Sequence, residues 1–265
     1  MGNNYPAPAV VVGVDGSTGA VQAALWAIDE AVSRDIPMRL VYVIDPRDAS
    51  TASASEARLA AARTALADAH RAVESTGARV KIETDILCGK PLTRLMEEAR
   101  SAAMICIGSI GLDHARHGGT SVASALAGSA RCPVAVIHQP VRRSVAPKVR
   151  SVLAEVDNGM VLRHAFEEAR LRGATLHALW VCPGGDAHDA GDGMRSAQAR
   201  LSRRLARWTR LYPDVRAESA IVRGGVEQYL GANPEAGQLL VTDSHTADDV
   251  CNAGYSVLAI RCSNL

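Results

Sequence analysis

The sequence predicts an α/β protein made of two tandem, doubly wound parallel sheets of five strands, the second copy being degenerate. Three observations support this class: apolar runs of strand length alternate with longer helical segments, the runs are continuous, and the pattern starts twice. Continuous apolar runs indicate burial on both faces, as in a parallel sheet covered by crossover helices. With 265 residues, 48% of them hydrophobic, the chain is large enough for two such cores.

The first half of the chain reads as βαβαβαβαβ. Each strand is predicted from a short apolar run, and each helix from the longer segment of helical period that follows it. The strands are predicted at 9–14, 38–44, 79–87, 103–108 and 133–138, and the helices near 18–34, 55–76, 91–102 and 121–130.

A break in the pattern at 138–150 indicates a linker, because two prolines and clustered positive charges follow neither period. We therefore predict a first domain over 1–142 and a second over 143–265. Met38 and Leu176 each lie eight residues after a glutamate that precedes an alanine. This repeated spacing indicates an internal duplication.

The second copy is shorter than the first at the end of its fourth strand. Gly108 and Val134 are 26 positions apart, whereas Asp243 and Val257, which correspond to them, are 14 apart. The missing residues correspond to a glycine-rich loop and the helix after it. We therefore expect a ligand of that loop to bind only the first copy.

The segment GSIGLDHARHGGTSV at 108–122 has the composition of an anion site. Glycines let the backbone approach a ligand closely, and the N–H groups that start the next helix attract phosphate. Ser121 either caps that helix or donates to the ligand. A loop that is glycine-rich only in order to turn is the alternative.

Asp15 follows the first predicted strand directly, beside the switch point where α/β sheets bind ligands. Its carboxylate is suited to accept from an adenine amino group or a ribose hydroxyl. The alternative is an aspartate that begins a turn and caps the next helix.

Other site chemistries have weaker support in the spacing of residues. His114 and His117 could each supply a metal ligand, but no further residue of the loop has a spacing that fits a third ligand. No metal site is therefore predicted. A triad of Ser109, Asp113 and His114 lacks the nucleophile-elbow pattern. No catalytic residue is therefore predicted.

Four motifs occur together in this chain: VVVGVDGS near the start, Gly89-x-Pro91, GSIG after the fourth strand, and SVASALAGSARCPVAVIH at 121–138. With these motifs the sequence resembles the universal stress proteins, in the tandem form found in mycobacteria, over nearly its whole length. It implies strand order 3-2-1-4-5, contacts through the fifth strand, and a stress-response role with bound ATP, alone or with Mg²⁺.

The resemblance also implies which residues would bind ATP. Asp15 would meet the adenine, the backbone of Val43 would lie near the base, and the glycines would line the phosphates. Thr120 stands where the family pattern has glycine, with Gly119 one place early, and threonine restricts the backbone there. The full set is Val14, Asp15, Val43, Gly108, Gly111, Gly119, Thr120, Ser121 and Val122.

Net charge and hydropathy indicate which classes of partner, and which location in the cell, to expect for this protein. A net charge of +1 gives no general field for nucleic acid or an anionic membrane, so neither is expected as a partner. With no secretory signal pattern and no apolar run of about 18 residues, we expect a cytoplasmic protein. The apolar fifth strands are expected to pair, either between the two lobes of one chain or in a homodimer.

The sequence is compatible with two functions of different classes. In the first, the chain is an ATP-binding regulator or sensor with at most weak ATP hydrolysis, since it lacks a committed base and magnesium ligands. In the second, it is a scaffold for protein partners that binds no nucleotide. The arginine-rich segment 194–212, with an apolar stripe from Leu201 to Tyr212, is the candidate docking helix of that scaffold.

Overall fold

The computed structural model describes residues 8–48, 51–109, 121–138, 148–182, 190–246 and 254–262. Contacts divide the chain into two compact units. The first unit is Met1–Pro147 with Ser244–Arg261, and the second is Lys148–Asp243 with Cys262–Leu265. The predicted domain 143–265 is therefore shared between the units, because its last strand lies with the first unit.

The first unit contains a sheet in the order β3-β2-β1-β4-β5-β10. Its first five strands pair in parallel, which confirms the predicted order 3-2-1-4-5. The strands are β1 (Val10–Gly13), β2 (Met38–Ile44), β3 (Ile82–Cys88), β4 (Met104–Gly108), β5 (Val134–Ile137) and β10 (Ser256–Ile260), numbered in chain order.

Each helix of the first unit starts where the sequence supplies a cap or a proline. Ser17, Thr51 and Ser121 each accept a backbone N–H bond at a helix start, and Pro91 occupies the first turn of a fourth helix. The helices are α1 (Thr18–Arg34), α2 (Ala52–Glu74), α3 (Pro91–Glu98) and α4 (Val122–Ser129), with a 3₁₀ turn at Pro46–Asp48.

The second unit repeats the strand order of the first without a fifth strand of its own. Its parallel sheet runs β9-β6-β7-β8, which corresponds to β4-β1-β2-β3 of the first unit. The strands are β6 (Ser151–Glu155), β7 (Thr175–Cys182), β8 (Ala217–Arg223) and β9 (Gln238–Asp243), and the helices are α5 (Gly159–Arg172), α6 (Ala190–Leu211) and α7 (Val226–Ala232).

Strand β10 pairs antiparallel with β5 in the first unit. Val257 lies opposite Val136, and Leu258 lies opposite Ala135. All four side chains are at most 2% exposed, so the pairing belongs to the core. Strand β5 therefore has neighbours on both edges, β4 and β10.

Helix α6 packs on α5 through stacked aromatic rings. Phe166 of α5 stacks against both Trp208 and Tyr212 of α6, with its ring centroid 6.0 Å and 5.4 Å from theirs. Leu201 and Leu205 of α6 are also buried. The apolar stripe predicted from the sequence is thus the face that α6 buries.

Each unit buries a glutamate that is paired with an arginine one helical turn later. Glu30 pairs with Arg34 at the end of α1, and Glu168 pairs with Arg172 at the end of α5. The Glu168 and Arg172 side chains are 3% exposed, with Nε and Oε2 3.1 Å apart. The glutamates that revealed the repeated spacing are therefore buried ion-pair partners.

Among the described residues, no helix has both the length and the hydropathy needed to cross a bilayer.

Substitution of Arg172 by alanine is expected to lower the free energy of unfolding by about 3–5 kcal/mol, because Glu168 would be left buried and charged without its partner. Urea denaturation of the full chain measures this change. The matched control is Arg163→Ala in the same helix, whose pair with Glu167 has the same spacing but is exposed. The control variant is expected to lower the free energy of unfolding by about 0.3–0.5 kcal/mol. Equal losses of stability in both variants would contradict the stabilising role of the buried Glu168–Arg172 pair.

Candidate functional site

The candidate site lies in the first unit, at the carboxyl ends of β1 and β4. These strands are parallel neighbours, with Val10 opposite Met104, but the chain visits two other strands between them. Such a reversal of strand order opens a crevice at the carboxyl edge of an α/β sheet. The residues that follow β1 and β4 therefore lie at the edge where ligands of this class of sheet bind.

Asp15 and Ser17 build the turn from β1 into α1. The buried Val14 donates its N–H to the Val41 carbonyl at 2.8 Å, which extends the strand pairing by one residue. The Asp15 carboxylate then accepts from the Ser17 N–H at 2.9 Å, and the Ser17 hydroxyl accepts from the Ala20 N–H at 3.1 Å. The turn that the sequence offered as the alternative role of Asp15 is thus present. A carboxylate has enough acceptor sites to take part in such a turn and to bind a ligand as well.

Gly108 ends β4 directly against the first turn of α1. A Cβ at this position would lie 2.7 Å from the carbonyl carbon of Gly19 and 3.0 Å from the amide nitrogen of Ala20. These are backbone atoms, which cannot turn aside as a flexible side chain can. Glycine is therefore required here by packing of helix on sheet, a reason that the sequence pattern did not reveal.

Val43 lies on the same edge of the sheet as Asp15. Val41 is level with Gly13, the last residue of β1, so Val43 extends beyond the end of β1. The Val43 side chain is half-buried and its residue pairs with Leu87 of β3. This position is compatible with a backbone contact to a ligand at the β1 end.

Ser121 begins α4, and Val122 follows it. The Ser121 hydroxyl accepts from the Ala123 N–H at 3.1 Å, so the predicted cap is present. Val122 is 37% exposed, while Ser121 is buried. Neither α1 nor α4 has an acidic residue in its first turn, and the Asp15 carboxylate lies just before α1. The partial positive charge of a helix start attracts anions.

Three of the predicted site residues, Gly111, Gly119 and Thr120, lie outside the described residues, as do His114 and His117. Their role toward phosphate stays a prediction. In the described part of the chain, no three histidine, cysteine, aspartate or glutamate side chains lie close enough together to hold a metal ion.

Ser109 and His138 form a contact that sequence reasoning missed. The Ser109 Oγ and the His138 Nδ1 are 3.1 Å apart, and the Ser109 N–H donates to Ile137 at 3.0 Å. Burial lowers the pKa of His138, which favours the neutral imidazole. The two residues are 29 positions apart, so only the pairing of β4 with β5 brings them together.

In the second unit an arginine side chain lies at the end of β6, the strand that corresponds to β1. Asp157, which corresponds to Asp15, lies 2.6 Å from Nη1 of Arg204. The same nitrogen donates to the Val156 carbonyl at 3.1 Å, and the guanidinium lies 5.4 Å from the centre of the Trp180 ring. Asp157 is thus an ion-pair partner of α6, and the helix cap beside it is Asn158.

A second carboxylate lies close to this ion pair. Burial, together with the charge of Asp157, raises the pKa of Glu155. Asn158 also donates to Asp243 at 3.4 Å. Among the described residues, this edge of the second unit therefore carries the acidic side chains of Glu155, Asp157 and Asp243 with Arg204. Their net negative charge disfavours binding of a polyphosphate.

The strand order and the parallel pairing define the first unit as a doubly wound α/β domain. The model of the Universal stress protein family matches residues 8–138. A universal stress protein of Mycobacterium tuberculosis is 57% identical over 269 residues and covers 100% of both chains. Another from that organism is 41% identical over 256 residues, covering 94% of this chain and 90% of its own.

A solved universal stress protein from Archaeoglobus fulgidus shares the fold, with a TM-score of 0.68 over 97% of each chain at 13% identity. With its whole length matched by mycobacterial relatives, the chain belongs to the universal stress protein family. This confirms the predicted family and the predicted fold class.

The variant Gly108→Ala is expected to lower the free energy of unfolding by about 1–3 kcal/mol, because its methyl group would collide with the backbone of α1. Thermal denaturation measures the change. Gly231→Ala in α7 is the control, because a Cβ there meets nothing within 4 Å. The control is expected to be neutral or to stabilise by up to about 1 kcal/mol, as alanine favours helix. A Gly108→Ala variant as stable as the wild type would contradict the close approach.

Proposed function

We propose that this chain is a stress-response regulator that binds ATP at the carboxyl edge of its first unit. The stress-response role accords with its family. The observation that carries the proposal is the placement of Asp15, Val43 and Gly108 around one switch point, next to a capped helix start. A nucleotide binds such an edge with its phosphates toward helix N-termini and its base beside strand-end polar groups.

The carboxyl edge of the second unit supports one nucleotide for each chain. Asp157, which corresponds to Asp15, is paired there with Arg204. A base or ribose at the second edge would have to displace that arginine. We therefore propose that ATP binds the first unit and not the second.

Calorimetry of the full chain with ATP, with and without Mg²⁺, tests the proposal, together with mass spectrometry of undialysed protein for ATP or AMP. We expect one site. Asp15→Ala is expected to weaken binding by about tenfold, the equivalent of 1.4 kcal/mol, through loss of hydrogen bonds to the ligand.

Asp157→Ala is the matched control, because it removes the corresponding carboxylate of the second unit and is expected to leave the affinity unchanged. Thr120→Gly is expected to strengthen ATP binding, since it restores glycine at the position that the family pattern requires.

The proposal of ATP binding would be refuted if the purified protein carried no nucleotide and calorimetry detected no heat of binding at millimolar ATP. We also propose that the chain hydrolyses ATP weakly at most. Turnover at the rate of dedicated ATPases would contradict this expectation about hydrolysis.

We further propose that association through the fifth strands occurs within one chain. Strand β10 occupies the edge of β5 that a second chain would need for a homodimer. The interface is apolar, since Val136 and Val257 are fully buried opposite each other.

Val136→Lys is expected to destabilise the protein by about 3–5 kcal/mol, because it introduces an unpaired charge between β4 and β10. The control Val32→Lys lies at an exposed position of α1, where the change is expected to stay within about 0.5 kcal/mol. Light scattering of the wild type is expected to give the single-chain mass of 27.9 kDa. An unchanged melting point of Val136→Lys, or a stable dimer of the wild type, would contradict the proposed pairing.

A further inference from the structure

Helix α6 carries a row of arginines on the side away from its buried face. We call Arg200, Arg203, Arg207 and Arg210 the arginine stripe; all four are exposed. At 3.6 residues per turn they lie within an arc of about 80° and span about 15 Å along the helix. The buried Leu201 and Leu205, with the ring cluster, occupy the other side.

Among the described residues, the arginine stripe has no acidic partner. Within the described part of the chain, none of its members forms an ion pair, whereas the exposed Arg163, Arg170 and Arg216 of the same unit each have a carboxylate partner. Arg203 and Arg210 donate only Nε, to backbone carbonyls 3.2 Å and 3.1 Å away. Like charges three and four residues apart destabilise a helix, so an anionic ligand would relieve their repulsion.

An exposed leucine ends the arginine stripe. Leu211 is 58% exposed, the highest value among the large apolar side chains of the described residues. With Arg207 and Arg210 it lines an open depression of about 300 Å³. Arginine is enriched in protein interfaces and among the residues that contribute most to their affinity.

The same features disfavour nucleic acid as the ligand. Trp208 and Tyr212, the aromatic residues of this segment, are stacked on Phe166 on the other side of the helix. They are therefore not placed on the arginine stripe, where they would have to stack bases. A phosphate backbone also offers no apolar group to Leu211.

We propose that the arginine stripe and Leu211 bind an acidic helical segment of another protein. Its carboxylates, at spacings of three and four residues, would face the arginines at the same spacings. One apolar side chain would enter the depression beside Leu211. This binding is independent of ATP, because it uses no residue of the first unit.

Fluorescence anisotropy of the full chain tests the proposal. The probe is a labelled helical peptide of about 18 residues, with glutamates at spacings of three and four and one leucine after them, which is long enough for the whole stripe. The variant Arg200→Gln, Arg203→Gln, Arg207→Gln and Arg210→Gln is expected to bind it at least about tenfold more weakly, since four exposed ion pairs each contribute modestly. Leu211→Ala is expected to weaken binding severalfold, and added salt should weaken it in the wild type.

A matched control removes the same net charge elsewhere. It replaces by glutamine four exposed arginines of the first unit, Arg63, Arg79, Arg100 and Arg131, and is expected to keep the affinity of the wild type. Melting curves of both variants check their folding. A second variant, Arg203→Glu with Arg207→Glu, is expected to lose the acidic peptide and to bind the same peptide with lysines in place of its glutamates.

Three results would overturn the proposal. The first is unchanged peptide affinity in the folded stripe variant, and the second is an equal loss in the control. The third is tighter binding of single-stranded or duplex DNA of about 20 nucleotides through the same arginines, because it would assign the surface to nucleic acid.

Discussion

The close approach of α1 to β4 is the constraint on which the first unit depends. At Gly108 the space that a methyl group would need is already occupied by the backbone of Gly19 and Ala20. The contact fixes the start of α1 against the sheet, and with it the turn that Asp15 and Ser17 form. The geometry of the candidate ATP edge is therefore a consequence of helix packing.

The two units show how one strand order can carry different chemistry. Both sheets place an aspartate after their first strand, and both bury a glutamate at the end of the following helix. The difference comes from α6, whose Arg204 reaches the end of β6 and pairs with Asp157. In the second unit an intramolecular cation thus lies beside the aspartate that corresponds to Asp15 of the proposed nucleotide edge.

Helix α6 combines two structural roles on separate faces. Its apolar face completes the core of the second unit through Trp208 and Tyr212 on Phe166. Its charged face contributes Arg204 to the strand edge and leaves the arginine stripe to solvent. The helix therefore accounts both for the closed second edge and for the proposed protein contact.

The sequence by itself determined the fold class and most helix positions, because apolar periodicity and capping residues are local signals. The strand order of the first unit followed from the resemblance to the universal stress proteins. The sequence also located Asp15 and Ser121 at their turns, since their side chains bond to backbone groups two residues away. It did not reveal why Gly108 is glycine, since the atoms that exclude a side chain there belong to α1. The contacts between Ser109 and His138, between Asp157 and Arg204, and between β5 and β10 likewise join distant segments, and only the tertiary structure decided them.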